Sequence, residues 1–313
     1  MRVWVVAIVA VVIVVALGIY LSRASRTASN SGAGSGSAGV ILRIVAAENF
    51  WGSLAAQIGG SHVRVLSVVS DPNADPHEYE TNAADARAVA GADYVIENGA
   101  GYDSWMDKLV GAGAGSVSNR KVLNAAVLIG KKNGDNPHFW YDPDYVNAVA
   151  AQMEQDLIVL DPTNASYYEA QYQTLKISLA QYQDRIATIK QQYGGTKVAA
   201  TEDIFVYLAD AAGLDLVSPP AFTEAVAEGN DPPAASVVQF EEQLKSGDVK
   251  ILVYNQQTVT PLTDTIKKLA ASQGISVVGI TETIQPPNLS FEDWMNGQLI
   301  TLQSTLNIKN SGQ

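Results

Sequence analysis

Between residues 166 and 193, eight apolar side chains recur at intervals of 4, 3, 4, 3, 4, 3 and 4 residues: Tyr168, Tyr172, Leu175, Leu179, Tyr182, Ile186, Ile189 and Tyr193. That spacing lines one face of a single α-helix. A helix over these residues would be about 42 Å long at ~1.5 Å per residue. An unbroken stripe can be the seam of a coiled-coil dimer. Half of this one is tyrosine, however, and no heptad pattern of flanking charges accompanies it. The segment therefore reads as an intramolecular strut, closed by the pair Gly194-Gly195.

On both sides of the strut, short β-branched runs alternate with helical stretches. Strands are expected at 41–46, 63–69, 94–97 and 121–123, with helices at 51–58, 83–89 and 105–110 between them. Pro143 behind its cap Asp142 opens a helix to about residue 160. After the strut, strands are expected at 197–200, 251–254 and 276–280, and helices at 204–212, 237–245, 262–272 and 291–306. Ser290 and Asp293 form the capping pair of the last helix. The βαβα order implies mostly parallel sheets covered on both faces. The expected fold is thus α/β: lobes at 41–165 and 194–313, joined by one long helix at 166–193, with a cleft between them. In open α/β sheets, ligands bind beyond the carboxyl ends of the strands.

Residues 3–21 form an unbroken apolar run between Arg2 and the pair Arg23/Arg26. Its 19 residues are long for a signal-peptide core and about enough to span a bilayer. Residues 1–21 are expected to be a membrane anchor, or a signal segment if cleaved, and 22–40, rich in Ser, Gly and Ala, a flexible tether. The globular part would then work on the outer face of the cytoplasmic membrane, or be secreted after cleavage. The formal charge of −12 is spread along the 313 residues, with no Lys/Arg run longer than two, which argues against a nucleic-acid surface. With no cysteine, disulfides, thiolate metal sites, thiol nucleophiles and a lipid-modified cysteine anchor are excluded.

The chain has three histidines. His77, in DPNADPHEYE, follows the strand at 63–69, and His138, in NPHFWYDP, precedes the capped helix. Each comes directly after a proline that limits the freedom of its loop. His62 starts a strand, at the opposite end from ligand sites, and reads as a surface residue. Glu202, in VAATEDIF, follows a strand and precedes a helix, where it could equally serve as a cap. Two imidazoles and a carboxylate on separate loops suit a rigid mixed nitrogen/oxygen site for Zn²⁺ or a similar ion. HEYET lacks the second histidine of a zincin helix, and there is no GxGxxG, P-loop or GxSxG, so no organic cofactor is expected. The Phe139-Trp140-Tyr141 cluster reads as loop packing.

At these residues the chain resembles the metal-binding solute-binding proteins of ABC importers, the TroA-like zinc and manganese family. The likeness runs from residue 41 to the C-terminus and is carried by AAENFWGSLAAQIGG, DPNADPHEYE, NPHFWYDP, the strut and TEDIFVYLADAAGL. It implies two α/β lobes joined by a rigid helix, with one Zn²⁺ or Mn²⁺ ion held between them as cargo by His77, His138 and Glu202. It also implies delivery of the ion to a membrane permease driven by a cytoplasmic ATPase, with no reaction catalysed. With the strut read as intramolecular, the chain is expected to be a monomer. The family usually draws a fourth, acidic ligand from a loop after a strand of the second lobe. Here that loop reads YNQQT at 254–258, without a carboxylate. Glu282, in GITETIQPP, also follows a strand and is the expected substitute, with the amides at 255–257 or water as alternatives. Glu48, ending the first strand, is a further candidate ligand, expected rather to stand behind the others. The histidine-rich loop of many zinc-specific members is missing, since 131–136 reads KKNGDN. Two other classes stay open: an anchored metallohydrolase using the same ligands with a position left for water, and a surface adhesin with a structural metal.

Overall fold

In the computed structural model, which describes residues 41–71, 76, 79–113, 117 and 120–311, the β-branched runs become strands and the stretches between them helices. The order is β1 (Leu42–Glu48), α1 (Asn49–Gly59), β2 (Val63–Val69), α2 (Ala83–Gly91), β3 (Tyr94–Glu97), α3 (Ser104–Ala112), β4 (Lys121–Asn124), α4 (Ala125–Leu128), α5 (Pro143–Leu160) and α6 (Ala165–Tyr193). It continues with β5 (Lys197–Ala200), α7 (Val206–Ala211), β6 (Asp215–Leu216), α8 (Pro220–Ala227), α9 (Ala234–Lys245), β7 (Ile251–Asn255), α10 (Pro261–Ser272), β8 (Ser276–Ile280) and α11 (Phe291–Ser311). The anchor and tether expected at 1–40 and the ligand expected at His77 lie outside the described residues.

Each lobe holds one four-stranded sheet, in the order β2-β1-β3-β4 and β6-β5-β7-β8. Every pairing is parallel. The two orders are the same pattern repeated, so each sheet reverses its winding at one place: between β1 and β3 in the first, between β5 and β7 in the second. Crevices form at such reversals, beyond the strands' carboxyl ends. Glu48 and Glu97 stand at the first crevice and Thr201-Glu202 and Asn255 at the second.

The strut is α6, and seven of its eight stripe residues are buried; Tyr172 is half-buried. Gly194 follows it in extended backbone, where a Cβ would come 2.7 Å from the carbonyl oxygen of Lys190. Its stripe packs on α1 and α5 of the first lobe and on α11 of the second. One hydrophobic core consequently runs through both lobes, from Ile44 and Phe50 through Leu179 and Tyr182 to Val253 and Trp294. Smaller clusters cover the outer faces, around Val45 and Met106 in one lobe and Phe222 and Leu252 in the other. Residues from Ile41 onward form one compact unit. The lobes are therefore not two bodies on a stalk. A shared core gives them little freedom to hinge.

Helix starts follow their local chemistry. Asp142 accepts from the amides of Asp144 and Tyr145 ahead of Pro143, and Ser290 accepts from the Asp293 amide. Three elements were not expected from sequence, namely the four-residue α4, the two-residue β6, and α8. The first two are too short for a period to register. The third begins at a Pro-Pro pair whose second member occupies the first helical turn.

Candidate metal centre

His138 leaves a loop after α4 and enters a tight turn, Phe139–Tyr141, whose three aromatic side chains are all buried. The Trp140 ring stacks on Phe50 at 4.0 Å and meets the His138 ring at 5.2 Å. The aromatic cluster is packing, and what it packs is the imidazole. Tyr102 closes the other side, its ring 6.0 Å from that of His138. Tyr102 is put there by an unusual bend: Gly99, Ala100 and Gly101 have φ of 81°, 56° and 91°. Left-handed backbone at alanine is disfavoured. The Asp103 carboxylate holds the bend by accepting from the amides of Asn98 (2.7 Å) and Gly99 (2.8 Å).

Glu202 and Glu282 enter from the second lobe. With exposures of 0%, 2% and 1%, His138, Glu202 and Glu282 are all removed from solvent. Glu202 precedes the turn Asp203–Phe205, yet its side chain makes no capping hydrogen bond there. Capping does not explain the residue. Glu282 is held by several donors. Asn255 Nδ2 reaches Oε1 at 2.5 Å, with Thr258 Oγ1 at 3.5 Å, and the Tyr102 hydroxyl donates across the lobes to Oε2 at 2.7 Å. The oxygen of Asn255, one of the amides weighed as a fourth ligand, accepts from the Gln257 amide at 2.9 Å.

Tyr102 thus links His138 to Glu282, and the Glu202 loop arrives through its neighbour. Asp203 Oδ1 stands 3.3 Å from His138 Nδ1. Burial pushes the Asp203 carboxyl up to about 7, with Glu224 and Glu282 adding to the rise. Tyr141 feels both Glu282 and Glu202, and burial raises its hydroxyl. Among the described residues, no group of three or more His, Asp or Glu side chains is arranged to hold a metal ion. Tyr102 stands between His138 and Glu282, and Asp203, next to Glu202 in the chain, stands beside His138.

Glu48 is fully buried at the end of β1, and among the described residues neither of its oxygens has a hydrogen-bond partner. Burial holds its carboxyl well above the usual range, reinforced by Asp103, Glu97 and Glu282. The adjacent Asn49 clamps the second lobe through the Ile284 backbone, accepting from its amide at 2.9 Å and donating to its carbonyl at 3.3 Å. His62 sits at the opposite end of β2, half-buried rather than on the surface, its ring 4.5 Å from that of Tyr167. A cavity of about 740 Å³ opens between the lobes and reaches Tyr102, Asn136 and His138. Asp203, Glu224 and Glu228 are among its walls, and among the described residues neither lysine nor arginine lines it.

Residues 44–305 match the family model described as "Zinc-uptake complex component A periplasmic" (ZnuA). The chain belongs to this family. Over 259 residues it is 21% identical to the high-affinity zinc uptake system protein ZnuA of Bacillus subtilis, covering 75% of this chain and 78% of that one. It is 28% identical over 185 residues to the manganese-binding lipoprotein MntA of Halalkalibacterium halodurans, 56% of this chain. The chain spans only 59% of the length of that MntA and 54% of the length of FimA, a metal ABC transporter substrate-binding lipoprotein of Streptococcus parasanguinis. Its fold is that of the periplasmic zinc binding protein TroA from Treponema pallidum, at TM-score 0.72 and 14% identity, covering 86% of this chain and 99% of TroA.

Proposed function

We propose that this member of the ZnuA family captures a divalent transition ion outside the cytoplasmic membrane and passes it to the permease of an ABC importer. What supports this reading is the burial of His138, Glu202 and Glu282 and the position of Tyr102, whose ring lies beside His138 while its hydroxyl donates to Glu282 across the lobes. His77, His138, Glu202 and Glu282 are the proposed ligands. Two carboxylates would neutralise a doubly charged ion, which offsets much of the cost of burying it. Tyr102 and Asn255 would orient Glu282 as outer partners of the coordination, which raises affinity by fixing the ligand before the ion arrives. The acidic cavity favours the approach of cations over anions.

Both zinc and manganese appear among the names of the relatives. A site of imidazole and carboxylate donors accepts both ions, and by the Irving–Williams order Zn²⁺ binds more tightly in vitro. Several relatives carry the name lipoprotein, whereas the sequence of this chain contains no cysteine to take a lipid. The apolar segment at 3–21 would supply the tether instead. The hydrolase alternative has one observation on its side, the cavity beside His138. A hydrolase would keep a metal-bound water facing that space.

Calorimetric titration with Zn²⁺ and Mn²⁺ tests the reading. His138→Ala should weaken Zn²⁺ binding by at least ~100-fold, while His62→Ala stays within about twofold of the parent. Equal affinities in the two variants would overturn it.

A further inference from the structure

Asn136 makes a set of contacts that the ligand assignment alone does not use. Its Oδ1 accepts from the backbone amide of His138 at 3.0 Å, and its Nδ2 donates to the backbone carbonyl of Asp203 at 2.7 Å. Its own carbonyl accepts from the Tyr207 hydroxyl at 2.9 Å. An amide's oxygen and nitrogen are normally assigned by convention. Here the assignment is forced, because a backbone N–H can only donate and a backbone C=O can only accept. The oxygen must face His138 and the nitrogen must face the second lobe.

That same oxygen lies 2.9 Å from His138 Nδ1. An amide oxygen can only accept, so Nδ1 must carry the proton. In the neutral ring the lone pair is then on Nε2. We propose that Asn136 is a positioning residue for His138: it fixes the imidazole as the Nδ1–H tautomer and registers the ring against the loop that carries Glu202. The inference rests on His138 being a metal ligand, and it adds which nitrogen binds and what selects it. Nε2 is the donor, chosen before any ion is present. Asp203 is the competing holder of Nδ1–H, but it is farther, at 3.3 Å. Asn136 is also anchored by backbone groups of both lobes, 67 residues apart in the chain from its Asp203 contact.

The test is long-range ¹H–¹⁵N NMR of the His138 ring in metal-free protein, near neutral pH, for the parent and three variants. The parent and Asp203→Ala should show the Nδ1–H tautomer. Asn136→Ala should shift the ring toward Nε2–H, the form favoured by free histidine. Asn136→Asp keeps an acceptor in place and should restore Nδ1–H, which separates loss of the acceptor from general loosening of the loop. With Zn²⁺ as the probe in calorimetry, Asn136→Ala should bind about 10-fold more weakly and Asn136→Asp should recover most of that loss. Retention of Nδ1–H in Asn136→Ala, or its loss in Asp203→Ala alone, would overturn the assignment. The tautomer readout needs no metal. Failure of the transport reading would show instead as unchanged Zn²⁺ affinity in His138→Ala.

Discussion

The two crevices share one strand order, and they differ in the donors that surround Glu48 and Glu282. At the first, Glu48 is sealed in with no side-chain hydrogen bond among the described residues, and burial pushes Glu97 up to about 7 and Asp103 to about 6. At the second, Glu282 receives donors from Asn255, Thr258 and Tyr102, all of which stabilise a carboxylate. The topology brings acids to both places. Among the described residues Glu48 has no donor, whereas Glu282 has three, and that difference separates the two glutamates.

Replacing one acid from each crevice puts the contrast at risk. Glu282→Gln should weaken Zn²⁺ binding by about 100-fold, because a coordinating oxygen loses its charge, whereas Glu48→Gln should change it less than about threefold. Comparable losses measured by calorimetry would mean that Glu48 also coordinates. Tyr102→Phe is gentler. It removes the donor to Glu282 Oε2 and leaves the ring beside His138, so affinity should fall about 10-fold with little change in melting temperature. An unchanged affinity would show that Glu282 does not depend on this partner.

The smallest effect lies in pH dependence. The Glu97 carboxyl, at about 7 when folded, is raised by burial above the ~4.3 of an unfolded glutamate. Between those values the folded protein keeps a proton that the unfolded chain has released. Its contribution to stability is complete below the lower value and is lost as pH rises through the upper one. Metal-free Glu97→Gln should therefore lose less melting temperature than the parent between about pH 5 and about pH 8, by a few degrees. Parallel melting curves for the two proteins would place Glu97 outside the group of buried proton holders.

How much of this was legible in the sequence follows from how local each signal is. The stripe from Tyr168 to Tyr193 declared α6, because a 4-3 spacing kept up over seven intervals matches the turn of a helix and not the alternation of a strand. The strand ends pointed to His138, Glu202 and Glu282, since position in a βα unit is a local property. The two-residue β6 left no pattern to read. The common core was hidden by a different cause: the stripe shows that α6 is buried, but not that it is buried by both lobes at once. The supporting groups were harder still. Tyr102 reaches Glu282 across 180 residues of sequence, and Asn136 reaches Asp203 across 67. Only the turn in which Asn136 accepts from the amide two residues on is a local motif, of the kind asparagine favours.

Anomalous diffraction at the zinc edge, from crystals of the metal-loaded protein, addresses the second crevice directly. One peak is expected between the lobes, within ~2.0–2.2 Å of His138 Nε2 and of carboxylate oxygens of Glu202 and Glu282. A peak seated instead among Glu48, Glu97 and Asp103, or one with His138 beyond coordinating distance, would contradict the assignment.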